Sequence, residues 1–156
     1  MTSSIRTVLW FSNGRGPEAA AFYCALIPDS RVEQTFGTDA GYGAFTVTDF
    51  SLGGVPYQIL DAGPMFTLTE AVSIAVSTAD QAETDRLWAA LTEGGTETAC
   101  GWLKDRYGLS WQIYPKRLIE LTTSKDKKVS DAAMAAMMKQ TKIDIAAIEA
   151  AVREIA

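Results

Sequence analysis

Two glutamines at matching places in two similar stretches are the residues of this chain best placed to do chemistry. Gln58 lies within residues 54–60 (GVPYQIL), and Gln112 lies within residues 108–114 (GLSWQIY). In both stretches a glycine, an apolar residue, a small residue, an aromatic residue, Gln, Ile and a large residue follow in order. A match of this kind indicates a duplicated unit. Each amide can both donate and accept hydrogen bonds, which suits the orientation of a polar ligand.

Few other groups are available for catalysis. The 156 residues include no histidine, so the commonest general base and the commonest transition-metal ligand are missing. Glu70, Asp61 and Asp105 are the carboxylates nearest in sequence to the two glutamines, and Asp105 is expected to form a turn. Cys100 needs a neighbouring base to act as a nucleophile, and no histidine can serve as one.

Composition excludes several classes of partner. The net charge is −5, and no long basic cluster is present, so nucleic acid is not an expected ligand. No apolar run approaches the about 20 residues that a membrane helix needs, and we expect a cytoplasmic protein. Cys24 and Cys100 show neither metal-site spacing nor a disulfide framework.

The same series of predicted elements precedes each glutamine. In the first half, strands are predicted at residues 5–11, 31–36 and 44–50, with a helix at 18–26. In the second half, a strand is predicted at 72–77, a helix at 80–92 and a weaker pair of strands within 96–104. The fold class is therefore α+β, with two β-α-β-β-β repeats. We expect a single domain over residues 1–115, with modules at about 5–61 and 72–115.

Residues 116–156 differ in composition and predict a helical C-terminal extension. The charged run at residues 125–128 (KDKK) is predicted to be a solvated loop. Asp144 is a good N-cap for the last helix. The apolar residues at helical spacing in this segment are assigned to packing against the domain or a partner subunit; they are Ala133, Met134, Met137, Met138, Ile145, Ile148, Ala151, Val152 and Ile155.

Paired β-α-β-β-β units resemble the vicinal oxygen chelate superfamily, which includes glyoxalase I, extradiol dioxygenases and the bleomycin- and fosfomycin-resistance proteins. Several motifs are similar to its PhnB-type subfamily, whose members are often labelled 3-demethylubiquinone-9 3-methyltransferase. These motifs are LWF at 9–11, AFY at 21–23, GPMF at 63–66, CGWLKDRYGLSWQIYP at 100–115 and KIDIA at 142–146. The resemblance covers nearly the whole chain. It implies a paired, cupped mixed sheet around a cavity, and a homodimer.

The resemblance also implies where a metal ion would bind. In the superfamily, the first and last strands of each half supply one metal ligand each. The last-strand positions correspond to Gln58 and Gln112, and the first-strand positions correspond to about Thr7 and to Ser73. This set carries no charge and no imidazole, whereas zinc favours Cys, His or carboxylate and harder cations favour anionic oxygens. We therefore predict a degenerate metal site with no metal and no cofactor.

The same positions are candidates for ligand binding. Strand alternation from Thr7 selects Phe11, and alternation from Gln112 selects Tyr114. Trp102, beside Gly101, is a candidate for a cavity entrance or a dimer contact. The predicted ligand-binding residues are Thr7, Phe11, Gln58, Ser73, Gln112, Tyr114 and Trp102. Core packing of the aromatic residues and solvation of the glutamines are the alternative interpretations.

Three functions follow from the sequence. The favoured one is a binding module for an unknown small apolar or aromatic molecule, and cavity volume would test it. The alternatives are a metal-independent isomerase, lyase or transferase, and a structural dimer without a ligand. Methyl transfer is disfavoured because it normally uses a glycine-rich turn between a strand and a helix. The glycine pairs at 53–54 and 94–95 lie between two predicted strands and after a helix, respectively.

Overall fold

Each glutamine stretch forms an inner strand of its own four-stranded sheet. The computed structural model describes residues 4–38 and 43–155, and the chain divides into a first unit, Met1–Thr69, and a second unit, Glu70–Ala156. The elements of the first unit are β1 (Thr7–Phe11), α1 (Gly16–Leu26), β2 (Arg31–Thr38), β3 (Phe45–Leu52) and β4 (Val55–Asp61). The strand order is β1-β4-β3-β2, with β1 and β4 parallel and the other pairs antiparallel.

The second unit repeats this plan and adds three helices. Its elements are β5 (Ser73–Thr78), α2 (Gln81–Thr92), β6 (Thr96–Glu97), β7 (Trp102–Lys104), β8 (Ser110–Pro115), α3 (Lys116–Thr122), α4 (Lys127–Met137) and α5 (Ile145–Glu154). The strand order β5-β8-β7-β6, with β5 and β8 parallel, matches that of the first sheet. The structure confirms the α+β class, the two β-α-β-β-β repeats and the helical C-terminal extension.

Helix α1 lies on one face of the first sheet. The Gly16 backbone N–H donates to Asp61 Oδ2 at 2.8 Å, and a Cβ atom at Gly16 would lie 2.8 Å from Ile59 Cγ2. Tyr57, Ile59 and Asp61 therefore face the helix, whereas Pro56, Gln58 and Leu60 alternate to the other side. In the second unit, the buried face of α2 packs against β7 and β8, where Trp111 and Ile113 are buried. We call the face of each sheet that is turned away from its helix the distal face.

Local signals fix the helix ends. Asp80 accepts a hydrogen bond from the Glu83 N–H at 2.9 Å, so the helix predicted from residue 80 has Asp80 as its N-cap. Asp144 caps α5 in the same way through the Ala147 N–H, as predicted. The solvated loop predicted at residues 125–128 is wrong in its second half. There Asp126 caps α4, which begins at Lys127.

The three C-terminal helices have a core of their own. It consists of Leu118, Leu121, Ala133, Ile143 and Ile148. Met137 is partly buried against this core, whereas Met134 and Met138 are 45% and 64% exposed. Only some of the apolar residues predicted to pack in the C-terminal segment therefore do so. Within the described ranges, no helix is long and apolar enough to cross a membrane.

Candidate functional site

Strand register gives the two glutamines different neighbours. Gln58 pairs with Asp49 on β3, and Gln112 pairs with Trp102 on β7. Residues paired across two strands share a face of the sheet, so all four lie on the distal faces of their sheets. Because the two sheets have the same strand order, Asp49 and Trp102 occupy equivalent positions.

The first strands show which residues are equivalent to the predicted metal ligands. On β1, Val8 pairs with Gln58, and on β5, Ala75 pairs with Gln112. Two residues earlier, on the same side of each strand, are Arg6 and Ser73. The counterpart of Ser73 in the first unit is therefore Arg6.

This register corrects the placement of Thr7 and Phe11. Thr7 pairs with Tyr57, on the α1 side of the sheet, and Phe11 lies on that side too and is only 2% exposed. The structure does not bring either residue together with Gln58. The sequence alignment of the first strand is off by one residue, and a shift of one residue moves every side chain to the opposite face.

An ion pair lies beside Gln58 on the first distal face. Asp49 accepts hydrogen bonds from Gln58 Nε2 at 2.7 Å and from Gln34 Nε2 at 2.6 Å, one on each carboxylate oxygen. Arg6 Nη1 lies 3.6 Å from Asp49 Oδ1, and Arg6 Nη2 lies 3.2 Å from Glu33 Oε2. Asp49 is 7% exposed, so this carboxylate relies on protein partners and not on water.

The same contacts set the acidity of Asp49. The side-chain hydrogen bond from Gln34, and then the one from Gln58, hold the pKa of Asp49 below its usual value. Burial opposes this effect, and the charge of Arg6 adds a smaller contribution that lowers the pKa further. Asp49 is therefore an anion at neutral pH with both oxygens engaged, which makes it a poor general base.

The second distal face has a different cluster. Gln112 Nε2 donates to Ser73 Oγ at 2.9 Å, so the structure brings these two predicted residues together. Ser110 lies between Ser73 and Lys104 in the next row of the sheet. Lys104 Nζ lies 2.6 Å from Glu70 Oε1, and the hydrogen bond from Lys104 holds the pKa of Glu70 below its usual value.

Ser110 is the least expected member of this cluster. It is 2% exposed, and within the part of the chain that the structure describes its hydroxyl has no hydrogen-bond partner. Trp102 shares its face and is half-buried. Tyr114 also lies on this face, but its side chain packs against the core of the C-terminal helices.

The other catalytic candidates have structural roles. Asp105 accepts hydrogen bonds from the Tyr107 and Leu109 N–H groups and from Trp111 Nε1, which confirms the predicted turn. Asp61 accepts from the Gly14 and Gly16 N–H groups at 3.1 and 2.8 Å. The sequence indicates a helix start near Gly16 but does not predict that Asp61 binds the N–H groups of Gly14 and Gly16. Asp61 occupies the place at the start of the helix where an external anion would otherwise bind.

A cavity of about 530 Å³ lies in the first unit next to the ion pair. Its lining residues are Asp29, Ser30, Arg31, Glu33, Ser51, Gly54 and Pro56. Arg31, Ser51 and Pro56 are paired across three strands, in the row of the distal face next to that of Asp49 and Gln58. Glu33 belongs both to this lining and to the Arg6 ion pair.

Sequence reasoning missed Arg6, Gln34, Asp49 and Ser110. Asp49 carried a signal, because it is a single carboxylate within the alternating run FTVTDFSL of β3 and must therefore find partners if that strand is buried. Arg6 carried none, since its position depends on a register that the sequence leaves open by one residue.

The two β-α-β-β-β repeats and their strand order are those of the vicinal oxygen chelate class, the glyoxalase and bleomycin-resistance fold. Residues 3–114 match the family of 3-demethylubiquinone-9 3-methyltransferase. The chain belongs to this family, which includes PhnB-type proteins. The match ends at the last strand, before the three C-terminal helices.

Solved structures have the same fold. The PhnB protein from Bacillus cereus, which carries the same family name, is 28% identical with a TM-score of 0.64, and the match covers 72% of this chain and 99% of that protein. Protein PA1353 from Pseudomonas aeruginosa is 21% identical with a TM-score of 0.60, over 73% and 98%. The fosfomycin resistance protein FosX from Listeria monocytogenes is 14% identical with a TM-score of 0.53, over 77% and 96%, and shows the fold alone. No curated protein matches the chain.

Proposed function

We propose that this protein binds a small organic molecule on the distal face of a β-sheet and does not act through a metal ion held there. The observation that carries the proposal is the Arg6–Asp49 ion pair beside Gln58. A guanidinium group lies at the first-strand position that supplies a metal ligand in the superfamily.

The charges on the first distal face do not suit a cation. A divalent ion about 4 Å from the Arg6 guanidinium would be repelled by about 8 kcal/mol at an effective dielectric constant of about 20, which offsets the attraction that the Asp49 carboxylate offers at the same distance. Coordination by Asp49 would also break its hydrogen bonds with Gln34 and Gln58. The protein itself already supplies the positive charge that a metal would bring.

The donors of the second distal face are equally unsuited to a tightly bound metal. Ser73, Ser110 and Gln112 offer only neutral oxygens, and Trp102 stands where the first unit has a carboxylate. Across the described ranges, no three or more His, Cys, Asp or Glu residues come together as a metal-binding group. Transition metals and hard cations both need anionic or imidazole ligands in such numbers.

The cavity of the first unit suits a small organic ligand. Its volume of about 530 Å³ lies within the range of about 300–1,000 Å³ that is usual for small-molecule sites. It has charged groups at Arg31 and Glu33 and an apolar surface at Pro56. Two rows further along the distal face, Val47, Leu60 and Trp10 form an apolar strip. We infer a ligand with both a polar and an apolar part.

Methyl transfer, which the family name suggests, is not part of this proposal. The Gly14–Gly16 turn lies between a strand and a helix, where such enzymes bind a nucleotide-containing methyl donor. The Gly14 and Gly16 N–H groups donate to Asp61, whose carboxylate would repel further negative charge. Each sheet has four strands in mixed directions and is not a doubly wound parallel sheet.

A thermal-shift screen of the untagged protein tests the proposal. We expect members of a library of small aromatic and apolar compounds to raise the melting temperature, because a ligand that binds only the folded state stabilises it. Zn²⁺, Mn²⁺, Ni²⁺ and Fe²⁺ should leave the melting temperature unchanged. Stoichiometric metal in the purified protein, together with no shift from any organic compound, would overturn the proposal.

We also propose that the chain forms a homodimer, as the family resemblance implies. The apolar side chains that the C-terminal helices leave exposed support this, since they include Ile119, Met134 and Met138. Light scattering at micromolar concentration should give twice the mass of 16.8 kDa. A single species with the mass of one chain would contradict the dimer.

A further inference from the structure

We propose that the second distal face is a subsite for the carboxylate of a small aromatic acid, with the Ser110 hydroxyl as its buried donor. The proposal rests on the small-molecule binding proposed above and specifies the chemical class of the ligand. It starts from the unpartnered Ser110 hydroxyl.

A buried hydroxyl without a partner destabilises a fold and is rare in native proteins. Ser110 is 2% exposed, and its Oγ atom has no hydrogen-bond partner among the described residues. Its side chain lies on the distal face, on the side where Gln112 and Ser73 meet. A ligand acceptor atom at this point would satisfy the hydroxyl.

The neighbours of Ser110 are mainly hydrogen-bond donors. Ser73 Oγ accepts from Gln112 Nε2 at 2.9 Å, so its own hydrogen can be directed to a ligand. Lys104 flanks Ser110 on the other side and carries a positive charge. A carboxylate has two oxygens that together accept about four hydrogen bonds, and it fits two hydroxyls and an ammonium group better than any neutral group does.

Glu70 is the group that a ligand would displace. Its carboxylate lies 2.6 Å from Lys104 Nζ, but its side chain is 63% exposed, and an ion pair this exposed contributes little to stability. When the ammonium group leaves Glu70 for an incoming carboxylate, the Lys104 side chain can move and give access to Ser110. The internal pair thus competes with the ligand.

The aromatic part of the ligand is inferred from Trp102. This residue pairs with Gln112 in the row next to Ser110, and its half-buried indole offers a flat apolar surface. An aromatic ring packed against the indole in a stacked or edge-on arrangement would hold its carboxylate over the row of Ser73, Ser110 and Lys104.

Matched acid and amide probes test the inference by calorimetry on the full chain. Benzoate, 1-naphthoate and indole-3-acetate are each compared with the corresponding amide, which has the same shape without the charge. We expect at least one acid to bind about tenfold more tightly than its amide. Ser110→Ala should weaken that acid by about tenfold, Lys104→Met should weaken it further, and Glu70→Gln should strengthen it several-fold without affecting the amide.

The melting temperature of the protein without ligand tests the role of Ser110 independently of binding. Ser110→Ala removes an unsatisfied buried group, so the free protein should melt at the same or a higher temperature while losing affinity for the acid. A clear drop in melting temperature would show that the hydroxyl is already paired, and the inference would fail. It also fails if every acid binds no better than its amide, or if Ser110→Ala leaves the acid affinity unchanged. In either case the proposed function survives, provided that other compounds bind.

Discussion

The two distal faces start from the same strand order and the same glutamine, yet they use it in opposite ways. In the first unit, Gln58 donates to a carboxylate that is also held by Gln34 and Arg6. In the second, Gln112 turns to the neutral hydroxyl of Ser73. One face carries its own anion and cation, and the other is left with a buried hydroxyl that has no partner among the described residues.

Two pairs of equivalent positions account for this difference. Arg6 corresponds to Ser73, and Asp49 corresponds to Trp102. Asp49, on the strand next to Gln58, gives that amide a charged acceptor. Trp102, at the equivalent position next to Gln112, has an indole ring and no acceptor oxygen. A duplicated scaffold can therefore surround the glutamine of one copy with an ion pair and leave, beside the glutamine of the other, a buried hydroxyl without a partner among the described residues. Both arrangements keep the same strand order.

Removal of Asp49 should have the largest effect on the first unit. Asp49→Ala leaves the amides of Gln34 and Gln58 without their acceptor and Arg6 without its buried partner, and should lower the free energy of unfolding by about 2–4 kcal/mol. Urea unfolding measures this change. Ser73→Ala, the matched loss of an acceptor on the second face, should cost about 1 kcal/mol or less. If the two substitutions lowered the free energy of unfolding equally, the buried ion pair would contribute no more to stability than the neutral hydrogen bond.

The two glutamines provide a closer comparison, because they are the same residue at the same place. Gln58→Leu removes a hydrogen bond to a charged group and should cost about 1.5–3 kcal/mol, whereas Gln112→Leu removes one to a neutral hydroxyl and should cost about 0.5–1.5 kcal/mol. Both are measured as unfolding free energies at neutral pH. A larger cost for Gln112→Leu would reverse the proposed roles of the two faces.

The pH dependence of folding stability should also differ between the two distal faces. Because the folded-state pKa of Asp49 is lowered, its contribution to stability is present above its unfolded value of 3.8 and is lost as the pH falls below that value toward the folded pKa. The stability advantage of the wild type over Asp49→Asn should therefore be constant near about pH 6 and shrink toward about pH 3. Gln112→Leu, which changes no ionisable group, should show no such trend relative to the wild type. An advantage over Asp49→Asn that does not change with pH would mean that Asp49 has the same acidity in both states.

The sequence predicted the repeats, the glutamines and the C-terminal helices because each rests on local periodicity or on a cap. Asp144, for example, caps its helix through a residue only three positions away. The distal face of the second unit was partly predictable, since strand alternation puts Gln112 and Ser73 each on a defined face, whereas Trp102 was assigned to a loop and lies in β7.

The ion pair was not predictable in the same way. The pair joins Arg6 and Asp49, and Gln34 and Gln58 donate hydrogen bonds to the same carboxylate; these residues come from separate parts of the first unit and meet only through strand pairing. An error of one residue in the register of β1 replaced Arg6 by Thr7 and placed Phe11 on the wrong face. Hydrophobic periodicity could not correct this error, because β1 has large apolar side chains on both faces.

The smallest expected effect concerns how Arg6 contributes to the first cluster. Its charge is the weakest of the influences that lower the pKa of Asp49, and the hydrogen bonds from Gln34 and Gln58 are stronger. Arg6→Met should therefore raise the pKa of Asp49 less than Gln34→Leu or Gln58→Leu does, as measured by NMR titration of the Asp49 side-chain carboxyl carbon. If Arg6→Met gave the largest rise, long-range charge would dominate the cluster. The first face would then differ from the second by its cation and not by its hydrogen bonds.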